Sequence, residues 1–539
     1  MALDRVPPEV LQIIFDYLTK SEQLEKTQIT RRWNQLSFRK THLVLANAEQ
    51  LIDEDILGRT TRGYSCFSID FKFIKKYEEE EELRSRLAIC ANKFSLRSLN
   101  LYNIPTDTLI SFIHEHRDWL RSVTELAITA SNRVDLSNIE VKLELPKLRK
   151  FRWVFIDRSG SSFLPSVTLR APQLKEIDLN CYDSTHPSVV LENATRLESL
   201  RVKGFKLISN VIAADSVMFL RIYEVDQPFE WCSEHIKFQR LGELSICACN
   251  VNIQSQKLLS TLANLQTLII ESEKTNPIDL GIIARALPQL KELRLSYAEW
   301  TYKSDVLSFP FLQIFDVHSS LRTQTTDDAP LSVNAPHLMV LKGTPKNIEQ
   351  LEFTNFATIK TLIALGQYLN FRRPRLFGSV RNLYMEITCH VPDQLLVTES
   401  IHQFPNLTHL TVILHNKQSP VNLSGNLIAI SFPNLRYLHL RYFDLDSDFM
   451  SGVLRSNTLS TLILEEGSLA SGTIDVMRLE HFYMRNVKIP TSLDDFADFG
   501  TLLKLVRPRP RGNKYSTKIL NETFIKSREE FLTDLQLCV

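Results

Sequence analysis

The chain has 539 residues, of which 44% are hydrophobic and 23% are charged, and its formal net charge is +1. These proportions are typical of a globular protein, and the balanced charge favours neither nucleic acid nor an anionic membrane as a general partner. No run of about 18 apolar residues predicts a membrane span, so we expect no membrane partner. The eight cysteines include no C-x-x-C pair, and such scattered thiols suit a reducing compartment, the cytoplasm or the nucleus.

The chain opens with a strongly apolar segment at residues 5–36, RVPPEVLQIIFDYLTKSEQLEKTQITRRWNQL. Its run from Val10 to Leu18 follows two prolines and predicts a helix whose apolar side chains cover an arc of roughly 200°. An ordinary surface helix hides about 100° or a little more, so this helix needs cover on two sides. The second cover is either a partner protein or residues 41–70 of the same chain, against which the segment would pack as a cap.

Residues 41–95 connect this segment to the rest of the chain. YSCFSIDF at 64–71 alternates between apolar and polar residues and predicts a strand, which we interpret as a degenerate first repeat. YEEEEELRSRL at 77–87 predicts the start of a solvated helix, with an acidic docking patch as the alternative.

From residue 96 the phrase L-x-x-L-x-L recurs in steps of mostly about 20–28 residues, a period typical of leucine-rich repeats. Firm copies begin at residues 96, 123, 148, 174, 197, 217, 241, 265, 290, 312, 407, 435, 459 and 479, and weaker ones at 338, 359 and 380. The final L-x-L predicts a short strand, and the connecting residues leave room for a helix or a 3₁₀ segment. Neither element hides its apolar side alone, so the copies must stack into a solenoid. The alternative, an ordinary leucine-rich α/β domain, does not explain so regular a recurrence.

Proline marks the start of seven copies, two places before the first apolar residue. These prolines are Pro146, Pro172, Pro288, Pro310, Pro336, Pro405 and Pro433. We expect each to end an incoming helix just ahead of a strand, where no ladder donor is lost. Standard repeats also place Asn or Cys three residues after the last leucine. Here most such positions hold other residues, for example Phe205 and Ala298, and Cys249 is a lone match, so the array is expected to be irregular.

After about residue 500 the repeat pattern stops. RPRPRGNKYSTK at 507–518 reads as an exposed basic linker, and NETFIKSREEFLTDLQL at 521–537 predicts an amphipathic helix that caps the open solenoid end. Contact of Arg507, Arg509 and Arg511 with RNA or with an acidic protein is the alternative for the linker. No aromatic residues alternate with its arginines to stack on bases, so we expect no nucleic-acid partner.

Residues three, five and seven of each phrase are expected on the concave face of the solenoid. In the later copies they are rich in Tyr, His and Arg, types suited to protein-binding surfaces. This C-terminal stripe, the predicted substrate-binding surface, contains Tyr384, Tyr437, His439, Arg441, His481, Tyr483 and Arg485. The middle copies place Glu176, Asp178, Ser199 and Arg201 on the same face, so its charge changes along the array. The alternative is plain solvated strand surface.

The opening segment resembles an F-box, a small three-helix motif. VPPEVL at 6–11 corresponds to the family's L-P-x-E-[LI]-[LI] start, and IFDYL at 14–18 to its isoleucine–leucine stretch. Leu24 matches a leucine of the second helix, and ITRRW at 29–33 matches V-C-[KR]-x-W, with Thr30 in place of the cysteine. An F-box followed by leucine-rich repeats is a known family arrangement, so the resemblance covers the whole chain.

The resemblance implies a substrate-recognition adaptor of an SCF-type cullin–RING ubiquitin ligase, which would direct a protein substrate to proteasomal degradation. The F-box would dock on a Skp-family adaptor and, through it, on the cullin scaffold. The implied adaptor-binding residues are Pro7, Pro8, Glu9, Val10, Ile14, Phe15, Leu18, Leu24, Ile29 and Trp33. The alternative is a leucine-rich-repeat scaffold that acts without a ligase.

The predicted fold is therefore of the α/β class in four parts. A three-helix F-box occupies residues 1–40, and a linker with a degenerate first repeat occupies 41–95. An irregular leucine-rich-repeat solenoid spans 96–500, with short parallel strands on its concave face and helices outside. A basic linker and a capping helix form residues 501–539.

No catalytic motif is present in the sequence. HEHRDW at 114–119 lacks the H-E-x-x-H spacing, and no G-x-S-x-G, Walker or G-x-G-x-x-G motif occurs. We expect no catalytic residue, no metal site and no cofactor.

Overall fold

The computed structural model describes residues 42–46, 65–71, 77–132, 140–157, 166–181, 188–204, 206–208, 216–224, 238–249, 259, 261–271, 277–302, 306–318, 331–354, 358–366, 377–387, 404–415, 421–423, 433–445, 458–469, 474–475, 481–485, 487, 497–498 and 504–506. The F-box-like segment with its ten implied adaptor-binding residues and the C-terminal tail after 506 lie outside these ranges. The chain divides into two compact units, Met1–Asn355 and Phe356–Val539.

The first unit is built mainly of short strands. They are β1 (His42–Ala46), β2 (Cys66–Asp70), β3 (Ser98–Pro105), β4 (Glu125–Asn132), β5 (Glu140–Glu144), β6 (Lys150–Asp157), β7 (Ser166–Arg170), β8 (Glu176–Cys181), β9 (Ser188–Glu192), β10 (Ser199–Lys203), β11 (Lys206–Ile208), β12 (Phe219–Tyr223), β13 (Glu243–Cys247), β14 (Thr267–Glu271), β15 (Ile278–Asp279), β16 (Glu292–Ser296), β17 (Trp300–Thr301), β18 (Val306–Ser308), β19 (Ile314–Val317), β20 (Leu331–Asn334), β21 (Val340–Gly343) and β22 (Leu351–Phe353).

The L-x-x-L-x-L phrases form one parallel sheet, the main sheet of the first unit. Its strands pair in the order β1-β2-β3-β4-β6-β8-β10-β12-β13-β14-β16-β19-β21. Equivalent phrase positions face each other across the strands, so that Ile177 lies opposite Leu200 and Leu179 opposite Val202. These apolar residues are buried, and the predicted solenoid of parallel strands is present.

The segments between the phrases correct the prediction that helices lie outside. Most of the described connecting segments are second strands, which pair in parallel into smaller sheets, β5-β7-β9-β11, β15-β17 and β18-β20-β22. Val167 and Leu169 of β7 are buried, and they alternate with the more exposed Thr168 and Arg170. An alternation of period two fits a strand and not a helix. Because both kinds of sheet bury alternate side chains, the core lies between them.

Few helices occur among the described residues. They are α1 (Tyr77–Lys93), α2 (Thr106–Glu115), α3 (Arg117–Leu120), α4 (Leu280–Ala286) and α5 (Pro345–Glu349). The acidic run at 77–87 begins α1 as expected, and Leu83, Leu87 and Cys90 give this helix a buried side. α4 begins where the carboxylate of Asp279 accepts a hydrogen bond from the amide of Gly281 at 2.8 Å.

The recurring prolines stand just ahead of main-sheet strands as predicted, but in most of the described copies they do not end a helix. In the copies from Pro146 to Pro405 the proline is the second residue of a four-residue turn. The amide of the first phrase residue closes this turn by donating a hydrogen bond to the carbonyl of the residue before the proline. Leu174 N donates to Ala171 O at 3.1 Å around Pro172, and Leu407 N donates to Phe404 O at 3.2 Å. Proline fits the second position of such a turn because its φ is fixed near −65°. Only before Pro288 does the described chain enter this turn from a helix, α4.

A left-handed residue forms the corner after many main-sheet strands. Glu224, Ala248 and Tyr297 have φ of 52°, 51° and 61°, and Gly204 has φ of 64°. Each corner amide donates to a carbonyl at or just after the end of the next main-sheet strand, as in Glu224 N to Cys247 O at 2.9 Å. This conformation costs roughly 1–2 kcal/mol for a residue with a Cβ, and the recurring bond offsets part of that cost.

The second unit repeats the same design. Its strands are β23 (Thr361–Gly366), β24 (Asn382–Ile387), β25 (His409–Leu414), β26 (Val421–Leu423), β27 (Tyr437–Arg441), β28 (Phe443–Leu445), β29 (Thr461–Glu465), β30 (Ser468–Leu469), β31 (Ile474–Asp475), β32 (His481–Arg485), β33 (Ala497–Asp498) and β34 (Lys504–Val506). The main sheet of this unit has the parallel order β23-β24-β25-β27-β29-β32-β34. Smaller parallel sheets are β26-β28-β30 and β31-β33.

Candidate functional site

The main sheet of the first unit carries a band of polar side chains on the face opposite the core, which we call the open face. Strand register aligns phrase position three of each copy into one row and position five into another. Row three contains Glu125, Lys150, Glu176, Ser199, Phe219 and Glu243. Row five contains Ala127, Arg152, Asp178, Arg201, Arg221 and Ser245. The strand register therefore places Asp178 and Arg201 on the same face, as predicted.

The charges of these rows pair across neighbouring strands. Lys150 Nζ lies 2.9 Å from Glu176 Oε2, and this hydrogen-bonded carboxylate raises the pKa of the lysine. Arg221 Nη2 lies 2.7 Å from Glu243 Oε1. Because Lys150 and Glu176 are about half exposed, water screens their pair and it stabilises the fold only slightly. These pairs therefore determine the charge distribution of the surface and contribute little to the stability of the sheet.

Asp178 lies between two arginines of row five. Its Oδ2 is 3.6 Å from Arg152 Nε and 3.8 Å from Arg201 Nη1, which is longer than a hydrogen bond. Asn180 Nδ2 donates to Asp178 Oδ1 at 2.7 Å and holds the carboxylate in place. One carboxylate is thus shared loosely by two guanidinium groups that carry ten N–H donors between them.

These rows line a groove of about 450 Å³ that extends from Ser98 on β3 to Glu243 on β13. Phe219 stands in row three of this groove with 46% of its surface exposed. Its in-register neighbour on β10 is the small Ser199. The sequence reasoning missed Phe219, Arg152 and Arg221, although their phrase positions in VMFLRI and LRKFRW place them on this face.

The second unit holds the predicted C-terminal stripe, and its residues differ in burial. Tyr384 is buried at 6% exposure, and its hydroxyl donates to Glu386 Oε2 at 3.4 Å. Its row neighbour Thr411 is also buried. Tyr437, His439 and Arg441 are half-buried on β27, and the backbone of β32 places His481, Tyr483 and Arg485 in register with β29. That these residues bind a substrate stays a prediction.

A carboxylate joins two residues of the stripe. Glu465 Oε2 lies 3.5 Å from His439 Nε2 and 4.0 Å from Arg441 Nε, and Glu466 Oε1 bonds Arg441 Nη2 at 3.0 Å. Burial raises the pKa of Tyr437 to about 12, and the nearby charge of Glu465 adds to the effect. The phenol therefore stays protonated at neutral pH.

We expect acid to destabilise the second unit through His409, whose ring stacks on Tyr437 with centroids 5.7 Å apart. Burial lowers the pKa of His409, and the positive charge of Arg436 lowers it further. Since the folded state has the lower pKa, the stability is complete above the unfolded value of about 6.5 and is lost as the pH falls through the folded value.

The measurement is the thermal unfolding midpoint of the full chain between pH 8 and pH 5. We expect the wild-type midpoint to fall towards pH 5 and a His409→Gln variant to have a shallower dependence. The control is His337→Gln at an exposed turn of the first unit. Equal pH slopes for wild type and His409→Gln would contradict the assignment.

The described residues contain neither a metal-binding cluster nor a membrane-spanning helix. No group of three or more His, Cys, Asp or Glu side chains in the described ranges is arranged to hold a metal ion. No helix among the same residues is long and apolar enough to cross a membrane.

Comparison with known proteins gives distant structural neighbours. No family model matches the sequence, and no curated protein matches it. Among solved structures, a leucine-rich-repeat protein of Leptospira interrogans is 15% identical, with 85% of this chain and 94% of that chain covered and a TM-score of 0.32. An internalin of Listeria monocytogenes is 13% identical, with 59% and 82% covered and a TM-score of 0.28. The assignment of a leucine-rich-repeat-type parallel solenoid rests on the phrase spacing and strand register of the chain itself.

Proposed function

We propose that this chain is a non-catalytic protein-binding solenoid that holds a polypeptide partner on the open face of its first unit. The groove across β3–β13 carries this proposal, because it displays charged side chains of both signs and an exposed aromatic ring on a rigid sheet. Rigid scaffolds with a few polar groups and aromatic anchors suit protein recognition. Long parallel solenoids offer such extended surfaces as a class.

We propose further that residues 6–36 dock the chain on a Skp-family adaptor, so that the bound partner becomes a ubiquitination substrate of a cullin–RING ligase. The support is the F-box resemblance of VPPEVL, IFDYL and ITRRW and the wide apolar arc of the predicted helix. Ubiquitin transfer then follows from proximity, because tethering raises the effective concentration of the target lysine. The cytoplasm or nucleus is the proposed location.

Adaptor docking is tested with the purified full chain and a purified Skp-family adaptor. We expect the wild type to bind and a Leu18→Ala/Trp33→Ala variant to bind at least about 100-fold more weakly, because each buried side chain contributes roughly 1.5–3 kcal/mol. The matched control is Gln12→Ala, on the predicted polar side of the same helix. No binding by the folded wild-type chain would contradict the ligase role and leave a ligase-independent scaffold.

A further inference from the structure

Several charges of the groove are exposed, and those of row five are mostly basic. Arg152, Arg201 and Arg221 stand in row five on β6, β10 and β12, and we call them the arginine row. Their side chains are 62%, 45% and 40% exposed. The carboxylates that pair with them are less exposed, Asp178 at 25% and Glu243 at 18%. Along row five a partner therefore meets guanidinium groups before carboxylates, while Glu176 in row three is exposed to a similar degree.

The arginine row keeps hydrogen-bonding capacity for a ligand. Asp178 contacts Arg152 and Arg201 only at 3.6 and 3.8 Å, and each guanidinium has five donors in a planar fork. That fork matches a carboxylate in a bidentate geometry. Even with Arg221 bonded to Glu243, the row retains donors enough for more than one carboxylate.

An apolar platform lies beside this row. Phe219 belongs to the same strand as Arg221, two residues earlier, so both side chains project from the open face. The small Ser199 on the neighbouring strand leaves one side of the ring uncovered. An aromatic or aliphatic side chain can pack on Phe219 while an adjacent carboxylate reaches the arginines.

We propose that the groove binds an extended acidic segment of a partner protein, with carboxylate side chains on the arginine row and an apolar side chain on Phe219. This inference rests on the proposed protein-binding function and names its ligand class. Neighbouring strands lie about 4.8 Å apart, so the row spans about 14 Å. Same-side residues of an extended peptide repeat every 6.6–6.8 Å, so about two acidic residues, two to four positions apart, match the row.

The acidic residues of the groove favour a polypeptide over a nucleic acid. Glu125, Glu176 and Glu243 occupy row three beside the arginine row. A nucleic-acid backbone carries a charge at every phosphate and would place some of them against these carboxylates. A peptide carries its charges only on chosen side chains and has a neutral backbone.

The test uses the purified full chain and a positional-scanning library of fluorescein-labelled dodecapeptides. We expect Asp and Glu to be enriched at two positions, with an aromatic or aliphatic residue enriched between or beside them. The best peptide is then titrated by fluorescence anisotropy. Arg201→Gln, Arg221→Gln and Phe219→Ser should each weaken binding at least about tenfold, since each removes a charge-assisted bond or an anchor.

The matched control is Arg294→Gln, a row-five arginine on β16 beyond the groove, which should leave the affinity unchanged. Arg201→Lys should bind with intermediate affinity, because it keeps the charge without the fork. Thermal melts establish that each variant is folded.

Three results would overturn the proposal. They are no enrichment of acidic residues, equal weakening by Arg294→Gln, and tighter binding of a twelve-nucleotide single-stranded RNA than of the best peptide. Adaptor docking is measured separately with Leu18→Ala/Trp33→Ala. Peptide binding without adaptor binding refutes only the ligase role, and adaptor binding without peptide binding refutes only the acidic ligand.

Discussion

Replacement of Trp153 by alanine is expected to lower the free energy of unfolding by about 3–5 kcal/mol, the range for large aromatic side chains in a packed core. Trp153 is 1% exposed on β6, and its ring meets that of Phe151 edge to face with centroids 5.9 Å apart. Removal of the indole leaves a cavity that rigid sheets on either side cannot fill. Urea denaturation of the full chain measures the loss.

A matched variant, Trp153→Phe, separates the effect of lost side-chain volume on stability from the effect of the indole N–H donor. Among the described residues, Trp153 Nε1 has no hydrogen-bond partner, and an unmet buried donor costs about 1–3 kcal/mol. Trp153→Phe removes that donor and keeps most of the ring, so it should cost far less than Trp153→Ala. A Phe variant as unstable as the Ala variant would show that the indole N–H is bonded in the folded protein.

The second large effect is expected at the ion pair of Asp316 and Lys342, on β19 and β21. Asp316 is 2% exposed and Lys342 14% exposed in their side chains, and the two groups are in direct contact. Asp316→Ala should destabilise the first unit by about 3–5 kcal/mol, because it leaves the ammonium group of Lys342 without its partner in a site of low dielectric constant. Chemical denaturation gives the value.

The double variant Asp316→Asn/Lys342→Met tests whether the unpaired charge of Lys342 causes this loss of stability. The introduced amide keeps an oxygen to accept the hydrogen bond that His318 N donates to the aspartate at 3.1 Å, and neither charge remains. Removal of both members of a buried ion pair is often neutral or stabilising. The double variant should therefore be more stable than Asp316→Ala. If it is equally unstable, the loss comes from packing and not from an uncompensated charge.

The repeat phrase predicts the main sheets well because the apolar residues that define the phrase are the residues that the strands bury. LKEIDL at 174–179 covers most of β8, and its Ile177 and Leu179 are buried while Asp178 faces outwards. The expectation of helices in the connecting segments is wrong for most of those that the structure describes. Strands such as LSVN at 331–334 have only four residues, and so short an alternation is hard to distinguish from a turn of helix.

The candidate groove could be predicted only in part. Phrase positions place Asp178 and Arg201 on one face, but the sharing of Asp178 with Arg152 depends on which strands are neighbours and on side-chain reach. The exposed state of Phe219 depends on the small Ser199 across the strand pair. Tyr384, by contrast, occupies an outward phrase position and is nevertheless buried, because burial depends on the tertiary surroundings and not on the phrase.

The in-order pairing of the main-sheet strands has a consequence for folding. Within each unit, each strand pairs with the main-sheet strand of the next repeat, so each pairing closes a loop of roughly one repeat, and the entropy of closure is small and similar at every step. Assembly can then start at any pair of repeats and grow in both directions. A defect such as the loss of Trp153 should open the array locally, and hydrogen exchange should show faster exchange on β4, β6 and β8 while distant strands keep their protection.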